Sequence, residues 1–325
     1  MGIGKDKLGN TYSIVYHDGT GNVRGATYAT ITTQGYLSLK DSGSIPAIPQ
    51  SGSLTLFVED HAGRVLPAVI GPSGVDYNLQ AALYGNTNYM WLASTGTTLA
   101  INWGTAWTAL NSGTGAAQSH PTKSSTNAMT SMNRANFGTG TTATGVSGIR
   151  STNTVAWLGN SSGLGGFLFF SRFGVETVSG TYRAFIGLST NTTVLGAAVE
   201  PSNGLIHSIF LSKDTTDTNW QVVTRNSTTG GTNGVNYNKI DTGIAVTAGQ
   251  VLDLYIHSAP NSQSVKFHIK NGVTGAELYS SGSLTVTGTL PGNTQFLYSQ
   301  IQMVSTTGTT AKLMALNRIY VECDL

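Results

Sequence analysis

Residues 265–270 have the sequence VKFHIK, in which apolar and polar side chains alternate without a break. Successive side chains of a β-strand point to opposite faces of its sheet, so Val265, Phe267 and Ile269 share one face and the polar residues share the other. This pattern is typical of an antiparallel strand that packs on a core with one face and meets water with the other. It predicts a β-sheet protein.

The same alternation recurs on both sides of this stretch. It is found in residues 182–188, 252–257 and 318–323. Turns rich in glycine, asparagine and proline lie between these segments, among them 230–234 and 260–262. Many short strands without a helical stripe predict that residues 151–325 form a β-sandwich of jelly-roll type. No repeat of fixed period is present, which disfavours a β-helix or a propeller.

The composition supports an all-β fold and excludes several classes of function. Of 325 residues, 41 are glycine and only 10% are charged, against about 25% in an ordinary soluble domain. The formal net charge is +2 without a basic run, so we predict no nucleic-acid partner, which would need a clustered basic face. Cys323 is the only cysteine, which excludes an internal disulfide framework and a cysteine-based zinc site. No cofactor is predicted.

The first third of the chain is predicted to contain two small β regions. Residues 1–50 hold short β-prone pieces and are predicted to form an N-terminal segment of their own. A linker with two prolines, Ser42–Gly52, follows them. Residues 51–110 are predicted to form a small β module. Its clearest feature is a hairpin over residues 54–70, because two alternating apolar runs flank a turn that ends in glycine.

The middle of the chain carries the weakest pattern. Residues 111–150, rich in glycine, serine and threonine, are predicted to be a connector with one short helix over 124–135. The longest strongly apolar run, 165–170, is far shorter than the ~20 residues of a membrane-spanning helix. Residues 1–6 lack the apolar stretch of a signal peptide. We therefore expect synthesis in a cytoplasm and no insertion into a membrane.

A search for catalytic and metal-binding motifs finds none. The segment 214–219 has the acidic spacing of a calcium loop, but it lacks the glycine at the sixth position, and Arg225 occupies the twelfth, where a bidentate glutamate is needed. Acid pairs such as Asp214 with Asp217, or Asp241 with Asp253, could serve glycoside hydrolysis, but no spacing singles them out. We predict no metal, no catalytic residues and no enzymatic activity.

The turns near residues 214–220 and 226–238 hold the candidate binding residues. They combine two aromatic rings, Trp220 and Tyr237, with acceptors such as Asp214 and Asp217. Rings that stack and side chains that bind hydroxyl groups are what a sugar site needs. These four residues are the predicted receptor-binding site. The alternative is that Trp220 begins an alternating strand and packs in the core of the sandwich.

Several stretches resemble phage tail-fibre and virion proteins. The first is AGRVLP at 62–67 followed by GPSG at 71–74, which is similar to a hairpin module of tail fibres. Further resemblances to the linker and the C-terminal β domain of these proteins lie in residues 94–103, 115–121, 214–221 and 318–322. Together they span roughly residues 50–325, in motifs rich in glycine and threonine.

The resemblance implies a homotrimeric fibre in the virion tail, synthesised in the cytoplasm of a bacterial host. Residues 1–50 would attach to other tail or virion proteins, and the C-terminal domain would bind a host surface polysaccharide or lipopolysaccharide. A tryptophan-rich middle, residues 54–160, also favours apolar surface that partner subunits cover. Two alternatives remain open: a tailspike-like enzyme that degrades glycans, and a head or neck fibre (a decoration protein) without receptor binding.

Overall fold

The computed structural model describes most of the chain from residue 100 onward and shorter stretches before it. The described residues are 12–17, 23–31, 37–39, 41, 43, 46–50, 53–70, 76–78, 86–94, 100–161, 164–177, 180–196, 199–285, 288–306 and 310–324. The chain divides into two compact units, Met1–Leu83 and Tyr84–Leu325. Regular structure in both is almost entirely β-strand, as predicted.

The first unit contains two antiparallel sheets of three strands each. In chain order the strands are β1 (Tyr12–His17), β2 (Val23–Ile31) and β3 (Leu37–Leu39) in one sheet, and β4 (Thr55–His61), β5 (Arg64–Ile70) and β6 (Asp76–Asn78) in the other. The predicted hairpin is confirmed as β4 and β5. Ala62 and Gly63 join these strands with φ angles of 60° and 90°, and two positive φ angles are what a tight two-residue hairpin turn requires.

The second unit contains the remaining described strands and one short helix. In chain order they are β7 (Asn86–Ala93), β8 (Ala100–Trp103), β9 (Trp107–Ala109), β10 (Ala117–Ser119), β11 (Ala135–Gly138), β12 (Val146–Ser151), β13 (Phe167–Thr177), β14 (Tyr182–Ser189), α1 (Pro201–Gly204), β15 (Ser208–Lys213), β16 (Asn219–Arg225), β17 (Tyr237–Ala245), β18 (Val251–Ser258), β19 (Lys266–Asn271), β20 (Glu277–Ser280), β21 (Tyr298–Ser305) and β22 (Leu313–Asp324). In the part of the chain that the structure describes, no helix has the length and apolarity needed to cross a bilayer.

These strands form two antiparallel sheets that share one core. The nine-stranded sheet has the order β10-β11-β22-β13-β18-β19-β20, with β7 beside β22 and β8 beside β7. The seven-stranded sheet has the order β17-β16-β15-β14-β21-β12-β9. Phe169 and Phe267 of the first sheet belong to the same buried cluster as Ile186 and Ile301 of the second. The second unit is therefore a two-layer β-sandwich, as predicted for the C-terminal region.

The outward face of β19 is less exposed than its sequence predicts. Phe267 and Ile269 are fully buried in the core, as the alternation requires, but His268 on the opposite face is only 5% exposed. Its ring lies 6.1 Å from that of Tyr255 on β18, and its Nε2 lies 2.7 Å from a carboxylate oxygen of Glu277 on β20. Side chains of neighbouring strands thus cover a position that the sequence alone assigns to water.

The boundary of the sandwich also differs from the predicted one. The predicted β module (51–110) and connector (111–150) contain strands that pair with the sandwich itself. Strand β7 pairs along β22, from Asn86 opposite Asp324 to Leu92 opposite Arg318, and β9 pairs with β12. The partner of β7 is β22, the last described strand, and β12 in turn pairs with β21, so local composition could not show that these segments join the sandwich. The sandwich begins near residue 84 rather than at 151.

The helix predicted over residues 124–135 is wrong. These residues form turns that lead into β11. The side chain of Asn127 accepts a hydrogen bond from the backbone N–H of Thr130 at 2.9 Å, and the backbone N–H of Asn127 donates to the hydroxyl of Thr130 at 3.0 Å. Short polar side chains that bind the backbone in this way compete with helical hydrogen bonds.

A segment between β14 and β15 crosses the outer face of the seven-stranded sheet. We call residues 190–196 and 199–207 the crossing loop; it contains α1. Leu195 and Leu205 of the loop pack with Phe185 and Phe210 of the sheet, and the backbone N–H of Leu195 donates to Gln302 Oε1 at 2.9 Å. The loop therefore covers part of this face, and the two ends of the face hold different groups of polar and aromatic side chains.

Candidate functional site

Asp214 and Asp217, two of the predicted binding residues, lie in the turn between β15 and β16 and share one lysine. Lys239 Nζ lies 2.7 Å from Asp214 Oδ2 and 2.9 Å from Asp217 Oδ1. We call these three residues the Lys239 cluster. Burial lowers the pKa of Lys239, but hydrogen bonds to both carboxylates outweigh that effect, so its pKa is raised. The lysine thus supplies, within the chain, the positive charge that this acidic turn requires.

The crossing loop closes over the same end of the sheet. The backbone N–H of Ser202 donates to Asp214 Oδ1 at 3.2 Å, and the Ser202 hydroxyl donates to the other oxygen of that carboxylate. Glu200 accepts hydrogen bonds from Arg183 and from the backbone N–H of Thr215, both at 2.9 Å. Asp214 is consequently only 4% exposed. Its oxygens are used within the chain and do not form an open surface for a ligand.

Residues 214–218 form the turn between β15 and β16, and the absence of a metal at this segment stays a prediction. The backbone N–H of Asp217 donates to the carbonyl of Asp214 at 3.2 Å. Among the residues that the structure describes, no three His, Cys, Asp or Glu side chains are placed to hold a metal ion.

Trp220 lies in the core of the sandwich. It is 1% exposed, and its ring meets that of Phe173 on β13 edge to face, with centroids 5.4 Å apart and an angle of 84° between the planes. A ring in this position cannot stack on an external sugar. The prediction that Trp220 binds receptor is therefore wrong, and the alternative that it packs the sandwich is the one the structure supports.

Tyr237, the fourth predicted residue, is half-buried at the start of β17. The guanidinium carbon of Arg225 lies 4.8 Å from the centre of its ring. Arg225 is fully buried and donates to the carbonyl of Ser202 at 2.6 Å and to Asn203 Oδ1 at 3.3 Å. One face of the Tyr237 ring is thus occupied by an internal cation. A receptor role for Tyr237 stays a prediction.

A pair of aromatic rings outside the predicted set lies at the other end of the seven-stranded sheet. Phe296 is 53% exposed, and its ring stacks on that of Trp157, with centroids 5.0 Å apart and 25° between the planes. The pair is held by a β-bridge between Ala156 and Leu297, in which the N–H of Leu297 donates at 2.7 Å. Both bridge residues are buried in the core, so their neighbours Trp157 and Phe296 point away from it.

Tyr298 and Arg150 continue this surface onto the sheet. The guanidinium carbon of Arg150 on β12 lies 4.4 Å from the ring centre of Tyr298 on β21, a distance at which a cation and an aromatic ring attract each other. Arg150 Nη1 donates to the carbonyl of Ser151 at 2.8 Å. We call Arg150, Trp157, Phe296 and Tyr298 the Trp157 platform.

Neutral polar groups surround the Trp157 platform. Gln300 donates from Nε2 to the hydroxyl of Ser189 and to the carbonyl of Asn191, the latter at 3.3 Å. On the other side, the exposed hydroxyls of Thr108 and Thr152 lie 3.2 Å apart. The arrangement thus combines exposed or half-exposed rings, two exposed hydroxyl groups and one arginine, above a buried glutamine whose amide is bonded within the chain.

The sequence does not predict this group, because its members come from three separate segments. Trp157 is predicted only as part of the tryptophan-rich middle, residues 54–160, whose apolar surface partner subunits cover. The signal that could have found it is the alternation around Leu297. If Leu297 and Ile301 face the core, then Phe296 and Tyr298 must face outward. The proximity of Arg150 depends on the pairing of β12 with β21, which the sequence does not reveal.

Comparison with known proteins yields structural neighbours only. No protein-family model and no curated protein matches the sequence. Solved structures to which the chain is similar include lectin II from Ulex europaeus (12% identity, 73% of this chain and 98% of that chain, TM-score 0.47), peanut lectin with a nine-residue peptide (10%, 73% and 97%, 0.45), and a protein of unknown function from Shewanella oneidensis MR-1 (13%, 76% and 90%, 0.47). The fold described above is defined by its own strand pairings.

Proposed function

We propose that this chain is a phage tail-fibre protein that binds a host surface polysaccharide or lipopolysaccharide at the Trp157 platform. The observation that carries the proposal is the exposed ring of Phe296, stacked on Trp157. Sugar rings present apolar C–H faces and peripheral hydroxyl groups. An exposed aromatic face with the exposed hydroxyls of Thr108 and Thr152 near Arg150 suits both features.

The assignment to a tail fibre is supported by the resemblance described above, which includes the confirmed hairpin at residues 54–70. The alternative of a glycan-degrading enzyme was tied to acid pairs such as Asp214 with Asp217. In that pair both carboxylates bind Lys239, whereas glycoside hydrolysis needs one carboxyl group that can give up a proton to the leaving sugar. We therefore favour binding without hydrolysis.

A homotrimer belongs to the same proposal and is supported by the edge of the nine-stranded sheet. Among the described strands, β8 pairs only with β7, and its Ile101 and Trp103 are 61% and 65% exposed. No Asp, Glu, Lys or Arg occurs from Tyr77 to Thr122. Monomeric proteins usually protect an edge strand with charges, so an uncharged apolar edge favours contact between copies of the chain.

Replacement of Phe296 tests the site. Phe296→Ala removes an exposed ring, so we expect adsorption to host cells to be lost while the melting temperature stays within about 2 °C of the wild type. Val273→Ala, at an exposed apolar position of another turn, is the matched control and should adsorb normally. Normal adsorption by a folded Phe296→Ala variant would contradict the proposed site.

Two measurements test assembly. Light scattering at micromolar concentration should give three times the mass of one chain, and Trp103→Glu should lower that mass because it places a charge at the edge of β8. A single-chain mass for the wild type would contradict the trimer.

Deletion of residues 1–50 tests the anchoring role. The shortened chain should form a soluble trimer that no longer joins the virion, and its incorporation into virions would contradict that role.

A further inference from the structure

Arg150 is a half-buried arginine, whereas Arg225, which also lacks an ion pair with a described carboxylate, is fully buried and donates to oxygens of the crossing loop. Arg134, Arg172 and Arg183 each form an ion pair with a carboxylate of the same chain. Arg150 has no carboxylate within 4.0 Å among the residues that the structure describes. A half-buried guanidinium is costly to desolvate, and proteins normally offset that cost with a negative charge.

The surroundings of Arg150 on the outer face are neutral. Gln300 lies opposite it on β21, Thr108 lies opposite it on β9, and Gly148 is the next residue of β12 on the same face. The Arg150 Nη1 group donates to the carbonyl of Ser151. The Nε atom is buried and has no hydrogen-bond acceptor among the described residues. A guanidinium carries five N–H donors, and a described protein acceptor is shown for only one of them.

The position of this charge is fixed next to the stacking surface. The Tyr298 ring holds the guanidinium at 4.4 Å, and Tyr298 is separated from Phe296 only by the inward-facing Leu297. A sugar that stacks on Phe296 would therefore extend toward Arg150. The planar donor fork of arginine matches the oxygen pairs of carboxylate and phosphate groups.

We propose that the saccharide bound at the Trp157 platform is anionic, and that Arg150 binds its acidic group. This inference rests on the proposed glycan-binding function and names the class of glycan. The acidic group is a carboxylate, as in a uronic or sialic acid, or a phosphate ester. Phe296 and Trp157 supply the stacking surface, and Arg150 supplies the charge and selects against neutral sugars.

The test is an array of bacterial polysaccharides in which each acidic glycan is printed beside its carboxyl-reduced or dephosphorylated form. The full chain should bind an acidic glycan at least tenfold more tightly than its neutral partner. The matched pairs show which acidic group Arg150 binds. If it binds a carboxylate, carboxyl reduction of the glycan removes binding; if it binds a phosphate ester, dephosphorylation removes binding. Equal binding to both members of every pair, or binding to none, overturns the inference.

Variants of Arg150 test whether this residue causes the preference for acidic over neutral glycans. Arg150→Gln should weaken binding to the acidic glycan about ten- to a hundredfold and leave binding to the neutral form unchanged. Arg150→Lys keeps the positive charge and should retain part of the preference for the acidic glycan. It can be measured even if Arg150→Gln has too low a melting temperature to be assayed. Arg318→Gln removes the same charge from an exposed site on the other sheet and should bind like the wild type. An equal loss in Arg318→Gln would indicate general attraction between charges and overturn a specific role for Arg150.

The same array separates this inference from the proposed function. Phe296→Ala should weaken binding to acidic and neutral forms alike. If Phe296→Ala abolishes binding but the wild type does not distinguish acidic from neutral glycans, then the glycan site stands and the anionic preference fails. If glycans bind and Phe296→Ala has no effect on them, the site itself is wrong.

Discussion

The two ends of the outer face of the seven-stranded sheet hold opposite kinds of polar chemistry. At one end, Lys239 binds Asp214 and Asp217, and the crossing loop covers this cluster and contributes Glu200, which pairs with Arg183. At the other end, the Trp157 platform exposes an aromatic ring and an arginine without a carboxylate partner in the described chain. The first end uses its charges to stabilise the fold, whereas the second keeps them available.

This comparison teaches that a conspicuous group of polar residues in a sequence is not by itself a binding site. The turn at residues 214–220 contains two acids and a tryptophan, and each of the three has a partner inside the protein. The platform has a weaker sequence signal but unused binding capacity. Variants at the two ends should therefore separate loss of stability from loss of binding.

The largest expected effect is on stability, from Trp220. Trp220→Ala removes a fully buried ring that packs on Phe173, so we expect a loss of about 4 kcal/mol in the free energy of unfolding. Urea denaturation at fixed protein concentration measures it. The folded fraction should bind glycan as the wild type does. A stable Trp220→Ala variant that no longer binds would reverse the roles assigned to the two ends.

The Lys239 cluster should give the next largest effect. Lys239→Met leaves the carboxylates of Asp214 and Asp217 without their shared cation, which we expect to cost about 3 kcal/mol. The same urea titration measures the loss. The double variant Lys239→Met, Asp214→Asn removes the cation together with the more buried acid and should recover part of the stability. If the single variant is as stable as the wild type, the cluster is not the internal charge pair described here.

The sequence predicted the elements whose pattern is local. Alternation correctly indicated β14, β18, β19 and β22, and the short turn with glycine indicated the hairpin at residues 54–70. In each case the side-chain period alone decides which residues face the core. The two-layer sandwich followed from the number of such strands and from the lack of a helical stripe.

What the sequence could not predict depends on which distant strands become neighbours. The pairing of β7 with β22 moved the boundary of the sandwich from 151 to about 84. The Trp157 platform required the pairing of β12 with β21 and the bridge between Ala156 and Leu297. The burial of Asp214 required the crossing loop, whose two leucines pack on the sheet from outside. None of these contacts has a local signal.

A smaller effect is expected from Glu200, and it depends on pH. Burial raises the pKa of Glu200, but hydrogen bonds from Arg183 and Thr215 outweigh that effect and leave the pKa below its usual value. A carboxyl whose pKa is lower in the folded state stabilises the fold above its unfolded pKa of about 4.3, and this contribution disappears as the pH falls through the folded value. Glu200→Gln should therefore cost about 1 kcal/mol at pH 7.

Measurements at several pH values test whether Glu200 stabilises the fold through its charge. As the pH falls below about 4, the stability of the wild type should approach that of Glu200→Gln. Urea titrations of both proteins at several pH values measure the difference. A difference that is the same at pH 7 and at low pH would mean that Glu200 acts through packing and not through its charge.

The smallest expected effect comes from Tyr237, which belongs to neither the Lys239 cluster nor the Trp157 platform. Tyr237→Phe removes the hydroxyl but keeps the ring against which the Arg225 guanidinium lies at 4.8 Å. Because that cation is held by carbonyl and amide oxygens of the crossing loop, we expect a change of less than about 0.5 kcal/mol in stability and unchanged glycan binding. Isothermal titration with the tightest glycan from the array measures the binding. A tenfold loss of affinity in Tyr237→Phe would extend the binding surface across the sheet, from the Trp157 platform to the residue that the sequence singled out.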